Sequence, residues 1–434
     1  MRLASEAENK NKLNTFQFTR VSLNNNQLTG DVMTDTFSVI QGILNGAIGD
    51  TLAQTQNELA IQMDFYHHNQ PLELALPLDS QLPHLLSNKL IVLIHGLTNT
   101  ESIWNFKAAT QENKLDNYGL RLQQEFKYTP FYLRYNTGLD IHENGKAFSN
   151  KMSQLLDQYP IEVDEIVLVG YSMGGLVARC AQIDSENLWT HKVSQCIYIG
   201  TPHEGAPLER LGHLTGKLFG QIPKSYFNIW EEWINLRSTG IKSLHSGLSK
   251  QEINFHDQVQ HCFISGGVFN SNKQLRDLHV GDSLVQRKSA QPANAPQTSL
   301  TAHFEKIDHF NLPRSENVFI TLRKWFEKFS TETKVITYSP AIDQPFTSTG
   351  KQVRSFLNED VLRGSSKLAL DLFQKTVHTA DLMHHEISQE PYSVLTKIPV
   401  VGNIADSIKT AHFTISKGVF AQLRKAETLL RACD

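Results

Sequence analysis

The sequence predicts an α/β fold with a mostly parallel sheet, and two observations support this prediction. Short apolar runs rich in β-branched residues alternate with longer stretches of helical periodicity, as expected for parallel strands buried between helices. The chain has 434 residues, of which 40% are hydrophobic and 20% charged, so it is long enough to bury a large core.

The strand and helix candidates follow one another in the order that crossover connections require. The predicted strands are Leu90 to Ile94, Thr129 to Tyr135, Glu165 to Val169, Cys196 to Ile199, Cys262 to Ser265 and Phe304 to Ile307. Two stretches between them, Asn144 to Gln158 and Gly174 to Ile183, have the length and period of crossover helices.

The stretches at about residues 204–259 and after Phe329 depart from this alternation, because they contain helical stretches but no convincing strand. The predicted α/β domain covers residues 58–335, and an N-terminal helical extension is predicted over residues 1–57. A helical cap is predicted as an insertion at about residues 204–259, and further helices as a C-terminal extension over residues 336–434.

Composition excludes several classes of protein. A formal net charge of -3 gives no electrostatic reason to expect nucleic acid binding. The four cysteines lack the spacing of a metal site and the density of a disulfide scaffold. Residues 1–15 are polar, unlike a secretory signal, and the apolar runs are far shorter than a membrane span. We therefore expect a soluble protein of the cytoplasm.

The strongest motif is a G-x-S-x-G turn around Ser172. A predicted strand runs directly into Gly170 and Ser172, and a helical pattern begins after Gly174. This strand-turn-helix context is the nucleophile elbow of the α/β-hydrolase fold, in which a tight turn raises the serine hydroxyl above the sheet. Ser172 is therefore the predicted nucleophile.

A serine hydroxyl needs a base to remove its proton and an acid to orient that base, and in this fold they follow in the order Ser, acid, His. Asp282 lies in a loop that begins with glycine, which favours it over its rivals Asp277 and Asp308. His309 follows the last predicted strand and precedes a terminal helix, which favours it over His303. We predict a triad of Ser172, Asp282 and His309.

Acyl transfer also needs hydrogen-bond donors for the developing oxyanion. The backbone after the strand at Leu90 to Ile94 faces the nucleophile, and the residue after Ser172 begins a helix. We therefore predict that the backbone N–H groups of Leu97 and Met173 form the oxyanion hole. The side chain of His95 is interpreted as a support for this loop rather than as a group that reacts.

The predicted cap contains bulky apolar side chains at spacings of three and four, including Trp230 and Trp233. One helical face could line the pocket, so both tryptophans are predicted to bind substrate; permanent packing on the core is the alternative. His203 and Glu204 suggest a metal or acid-base site, but a lone His-Glu pair lacks metal-ligand spacing. No metal is predicted.

Several ordered motifs carry a family resemblance, namely LIVLIHGL at Leu90 to Leu97, RYNTG at Arg134 to Gly138, VGYSMGG at Val169 to Gly175, GTPHEGAPLE at Gly200 to Glu209, GDSLV at Gly281 to Val285 and DHFNL at Asp308 to Leu312. From roughly Leu59 to Phe329 the chain resembles the lipase-like α/β-hydrolases of the glycosylphosphatidylinositol inositol-deacylase type and related bacterial esterases. The resemblance implies the same triad and oxyanion amides. Gln286 departs from it, because proline commonly follows GDxLV.

The predicted function is hydrolysis of carboxylic esters with an acyl-serine intermediate and without a cofactor. Acyl transfer to an alcohol is the alternative on the same fold, and a noncatalytic binding or scaffold protein is the alternative in another class. The expected partner is a small-molecule or lipid ester, with contact at a membrane surface as a further option. The sequence does not specify an oligomeric state.

Overall fold

The computed structural model describes residues 28–67, 70–76, 78, 81–82, 86–107, 115–183, 187–207, 238–248, 255–268, 281–329 and 367. Most of the predicted cap, with Trp230 and Trp233, lies outside the described residues. So do Asp277 and all of the predicted C-terminal extension except Lys367.

Among the described residues the central sheet has eight strands, in the spatial order β10-β9-β8-β7-β3-β6-β1-β2. They are β1 (Asp64–His67), β2 (Gln70–Pro71), β3 (Lys89–Ile94), β6 (Thr129–Arg134), β7 (Glu165–Tyr171), β8 (Val193–Ile199), β9 (Gln260–Gly267) and β10 (Leu300–Glu305). Strands β6, β3, β7, β8, β9 and β10 are parallel to one another, whereas β1 is antiparallel to both β6 and β2. A separate antiparallel pair joins β4 (Phe106–Lys107) and β5 (Leu115–Asp116).

The helices lie between these strands along the chain. They are α1 (Leu28–Gln54), α2 (Tyr118–Phe126), α3 (Ile141–Gln158), α4 (Met173–Ala181), α5 (Thr239–Ser246), α6 (Arg287–Ala290) and α7 (Glu316–Phe329). Helix α1 is kinked at Ile48. Within the described ranges, no helix combines the length and the apolar character needed to cross a membrane.

The alternation of side chains along β3 builds one core on each face of the sheet. Leu90, Val92 and Ile94 point toward the face covered by α3 and α4. Ile91 and Leu93 point toward the face covered by α2 and α7. A strand buried on both faces is apolar throughout, which is why the sequence shows a continuous run here.

The predicted fold class is confirmed: a mostly parallel sheet lies between helices, as in the α/β-hydrolase fold. The predicted last strand, Phe304 to Ile307, is wrong, because β10 is Leu300–Glu305. The chain leaves the strand at Lys306, whose φ is 61°, and Ile307 forms only an isolated antiparallel bridge with Gly267. This edge strand is half-exposed and lacks the apolar run that marks buried strands.

Candidate active site

Ser172 occupies a sharp turn between β7 and α4. Its φ of 53° and ψ of -123° lie outside the conformations that most residues adopt, and its N–H donates to the carbonyl of Ile199 at 2.8 Å. A Cβ at Gly170 would collide with the backbone of Gly175, and one at Gly174 would collide with the carbonyl of Ile94. Only glycine fits on either side of this turn, which explains the spacing of the motif.

Asp282 and His309 form a buried pair, with 1% and 2% of their surfaces exposed. The two side chains are joined by a 2.8 Å hydrogen bond between Nδ1 of His309 and Oδ2 of Asp282. Since an ionised carboxylate only accepts, Nδ1 carries the proton and Nε2 is left to accept one. The other oxygen, Oδ1, accepts the N–H groups of Leu284 at 3.1 Å and Val285 at 2.8 Å.

The loop around Asp282 closes without the proline found in related motifs. The N–H of Asp282 donates to the carbonyl of Val285 at 3.2 Å, and the N–H of His309 donates to the carbonyl of Asp282 at 2.9 Å. These bonds hold the acid at both its backbone and its side chain. Gln286 follows the closed turn as an extended residue, so it leaves the geometry of the pair intact.

Two contacts place His309 beside the turn that carries Ser172. The ring of Tyr171 lies 5.1 Å from the His309 ring between centroids, and its Oη donates to the His309 carbonyl at 3.1 Å. Burial raises the pKa of Tyr171 well above its usual range, so the phenol stays protonated and can donate. A Cβ at Gly200, after β8, would lie 3.1 Å from Nδ1 of His309. His309 therefore lies at the end of the sheet where Ser172 turns.

The loop of residues 95–100 lies against Ser172, and we call it the oxyanion loop because it contains the predicted donor Leu97. A Cβ at Gly96 would be 2.8 Å from Cβ of Ser172. The carbonyl of Gly96 accepts from Nδ1 of His95 at 3.0 Å and from the N–H of Asn99 at 3.2 Å. In a planar trans peptide the C=O and the next N–H point in opposite directions, so these bonds fix the direction of the Leu97 N–H.

His95 has the geometry of a supporting group. It is fully buried, its ring stacks on Tyr135 at 4.5 Å between centroids, and burial lowers its pKa to about 3. The neutral ring keeps one N–H, which donates to the Gly96 carbonyl. A histidine that resists protonation and faces its own loop supports that loop, as the sequence predicts.

Thr98 is the strained residue of the oxyanion loop, with a φ of 64°. This left-handed conformation costs roughly 1–2 kcal/mol for a residue with a side chain, and β-branching makes it rarer still. Its N–H donates to Oγ1 of Thr137 at 3.1 Å, and its hydroxyl donates to the Leu97 carbonyl at 2.6 Å. This residue could not be predicted from the sequence, since nothing in the motif marks a threonine as left-handed.

The other candidates have described bonds to residues outside the Asp282–His309 pair. Asp308 bonds the side chain and the N–H of Asn311, and His303 contacts Oγ of Ser265 at 2.9 Å on β9. Nδ1 of His203 lies 3.0 Å from a guanidinium nitrogen of Arg179. Burial, and after it the charge of Arg179, hold the pKa of His203 well below its usual range. His203 is therefore poorly suited to accept a proton.

Comparison with known proteins adds a family match and several distant structures. The family model of the PGAP1-like alpha/beta domain matches residues 86–312, and no curated protein matches the chain in sequence. The chain is similar to the mature lipase BlEst2 of Bacillus licheniformis, at 19% identity and a TM-score of 0.40, over 61% of this chain and 97% of that one. It is also similar to a lipase-esterase related protein of Clostridium acetobutylicum, at 12% identity and a TM-score of 0.34, over 55% and 94% of the two chains. Similarity at this level says nothing about the substrate.

Proposed function

Because the chain belongs to the PGAP1-like alpha/beta domain family, we propose that it is a serine hydrolase that cleaves carboxylic esters. The observation that carries this proposal is the buried hydrogen bond between Asp282 and His309, located where Ser172 turns out of the sheet. A buried carboxylate and imidazole beside a strained serine form the arrangement that activates a hydroxyl for attack on an acyl carbon.

The first half of the reaction would form an acyl-enzyme. Nε2 of His309 takes the proton of the Ser172 hydroxyl as Oγ bonds to the ester carbonyl carbon. Asp282 stabilises the imidazolium that results. The N–H groups of Leu97 and Met173 would donate to the oxyanion, and the C–O bond of the ester then breaks as the alcohol leaves with the proton from His309.

The second half would release the acid. Water gives its proton to Nε2 of His309 while its oxygen bonds to the acyl carbon, and the bond to Ser172 then breaks with return of that proton to Oγ. An alcohol in place of water would give a new ester, which is the acyl-transfer alternative. Trp230 and Trp233 remain predicted contacts for an apolar acyl chain, outside the described residues.

The test is labelling and turnover by Ser172→Ala. We expect the purified wild-type protein to react with a fluorophosphonate probe and to hydrolyse p-nitrophenyl esters, and we expect Ser172→Ala to lose both. The loss has a simple cause, since the variant has no oxygen that can form the covalent bond. Esters from acetyl to palmitoyl, assayed with and without added alcohol, would also define the acyl chain and the acceptor.

Ser194→Ala is the matched control, because its hydroxyl bonds Glu165 at 2.7 Å near the opposite end of β8. It should label and turn over like the wild type. Labelling of Ser172→Ala at the wild-type rate would remove this serine from the mechanism. A wild-type protein that neither labels nor hydrolyses any of the esters would favour a noncatalytic role for the fold.

A further inference from the structure

We propose that α1 is a positioning element for the oxyanion hole, in which Gly46 and Gly42 hold the oxyanion loop in its active conformation. This inference rests on the proposed function, since it assigns a part of the same site. It concerns a helix that the sequence places in an extension before the α/β domain. The described part of α1 instead lies directly on the loop that follows β3.

Helix α1 contacts the loop through a hydrogen bond between the hydroxyls of Ser38 and Thr100 at 3.1 Å and through a close approach of its glycines to Thr98, whose Cγ2 is the atom nearest to a Cβ at Gly46. A Cβ at Gly46 would lie 2.8 Å from Cα of Thr98 and 2.9 Å from its N, both too close for any side chain. A Cβ at Gly42 would lie 3.0 Å from the carbonyl oxygen of Thr98. Residues four apart lie on one face of a helix, so the two glycines form a single flat contact against Thr98.

Thr98 needs support from its surroundings because its left-handed backbone is strained. Thr137 supports the N–H of Thr98 from one side, at 3.1 Å. The two glycines close the side of Thr98 that faces α1. With both contacts in place, Thr98 has no room to relax toward an ordinary conformation, which would turn the adjoining peptide of Leu97.

The helix is fastened to the body of the protein independently of the oxyanion loop. The carbonyl of Gly46 accepts Oγ of Ser238 at 2.7 Å, and the carbonyl of Gly49 accepts Nδ2 of Asn136 at 2.8 Å. Oδ2 of Asp50 accepts both the N–H and the hydroxyl of Thr239 at 2.8 Å. Since α1 is held by these bonds, a side chain added at its glycine face would displace the loop rather than the helix.

A shift of Thr98 would change the oxyanion hole through the adjacent residue, Leu97. Leu97 precedes Thr98, and its carbonyl accepts both the Thr98 hydroxyl at 2.6 Å and Nδ2 of Asn99 at 2.8 Å. Loss of one oxyanion donor lowers kcat by roughly 10²–10³ in a well-studied serine protease. A donor that points in the wrong direction, but is still present, should lower kcat by less than this.

The experiment measures kcat and KM for Gly46→Ala on p-nitrophenyl butyrate, with the full chain. We expect kcat to fall by roughly 10- to 100-fold while KM changes by less than about threefold, because the donor acts on the transition state. Gly42→Ala should show the same pattern more weakly, since its contact is longer. Replacing Thr98 by glycine in the Gly46→Ala background removes the collision with Cγ2 and the strain but leaves the close contacts with Cα and N, so it should restore only part of kcat.

Gly145→Ala is the matched control, since it also adds a methyl group where a helix contacts backbone closely, at Cys180 and away from the loop. If it lowers kcat as much as Gly46→Ala at an equal loss of Tm, α1 has only a structural role and the proposal fails. It also fails if Gly46→Ala keeps its kcat, or if glycine at position 98 gives no rescue. Should Gly46→Ala not fold, Gly42→Ala carries the same comparison, with a smaller expected loss of kcat. An inactive wild-type protein would instead refute the proposed function, so the two failures are distinguishable.

Discussion

Two buried histidines with opposite neighbours lie beside the sheet. In the acid corner, which consists of Asp282, His309 and Tyr171, the imidazole contacts a carboxylate at 2.8 Å. In the arginine corner, formed by Arg179, His203, Phe255 and His261, an imidazole lies 3.0 Å from a guanidinium that also covers the Phe255 ring at 4.0 Å. His309 and His203 are almost equally buried, with 2% and 3% of their surfaces exposed.

The charge of the partner, rather than burial, makes a histidine suitable as a base. In the proposed reaction, the carboxylate of Asp282 would stabilise the imidazolium that forms when His309 takes a proton. Arg179 has the opposite effect on His203, because a second positive charge beside it adds to the cost of burial and lowers its pKa. Two histidines with the same exposure are therefore suited to different roles.

The largest expected effect comes from removing the charge of the acid corner. Asp282→Asn keeps the size of the side chain but can no longer fix the Nδ1–H tautomer or stabilise the imidazolium. We expect the rate to fall by roughly 10⁴, as in a serine-protease triad. Steady-state kinetics with a p-nitrophenyl ester would measure it, and fluorophosphonate labelling should slow in parallel.

Asp308→Asn is the control for that variant, since Asp308 adjoins His309 along the chain but bonds Asn311 instead. Its rate should stay within about a few-fold of the wild type, because it makes no described contact with the imidazole. A larger loss of rate in Asp308→Asn than in Asp282→Asn would assign the role of acid to Asp308 and contradict the prediction.

The next effect should appear in the arginine corner as loss of stability in acid. Burial lowers the pKa of His261 to about 4, and that of His203 lies well below its usual range. Histidines of the unfolded chain bind protons near pH 6.5, so below that pH the unfolded state holds more protons than the folded one. The free energy of unfolding should therefore fall as the pH falls from about 6.5 toward 4, by roughly 1.4 kcal/mol per pH unit for each histidine.

Urea unfolding between pH 7.5 and 4.5 would measure this slope. His261→Gln should reduce this slope by the contribution of about one proton. Catalysis at neutral pH should change little, because His261 contacts Tyr198 and the backbone of His256. An unchanged slope in the variant would show that His261 binds its proton equally in both states. His95, whose pKa is about 3, should contribute to the slope that remains.

The smallest effect should come from Tyr171→Phe, which keeps the ring against His309 and removes only the hydrogen bond to its carbonyl. A neutral hydrogen bond contributes about 1 kcal/mol, so we expect the rate to fall by roughly fivefold. Tyr198→Phe is the equivalent change beside the arginine corner, where Oη lies 3.1 Å from Nδ1 of His261. It should leave the rate unchanged; an equal loss in both variants would indicate general destabilisation.

What the sequence could predict depends on how far apart the interacting residues lie. The elbow around Ser172 and the turn around Asp282 are local features, because a few consecutive residues determine each backbone path. The spacing of the glycines therefore indicates both turns in the sequence. Buried strands such as β3 are equally visible, since both faces must be apolar. The edge strand β10 was missed at its start and end, because its half-exposed side chains carry a weak signal.

Contacts between segments that are distant along the chain could not be predicted from the sequence. The support of Thr98 by Gly42 and Gly46 depends on the docking of α1, and a glycine in a helical pattern does not reveal what approaches it. Tyr171 is hidden for the same reason, since its position in the motif accepts many residues and its partner His309 lies 138 positions away. Arg179 could not be linked to His203 without the packing of α4 on β8.

The position of α1 in the chain has a consequence for synthesis. The helix leaves the ribosome before every segment that holds it, and its bond from Ser238 to Gly46 spans 192 residues. At about 5–20 residues per second, that partner arrives roughly 10 to 40 s later. The oxyanion loop emerges well before residue 238, but until that residue arrives the helix lacks the bond from Ser238 and has less tertiary packing to stabilise it. A segment that is translated early is therefore among the last to be fixed, and the oxyanion loop can take its final conformation only after residue 238 has emerged.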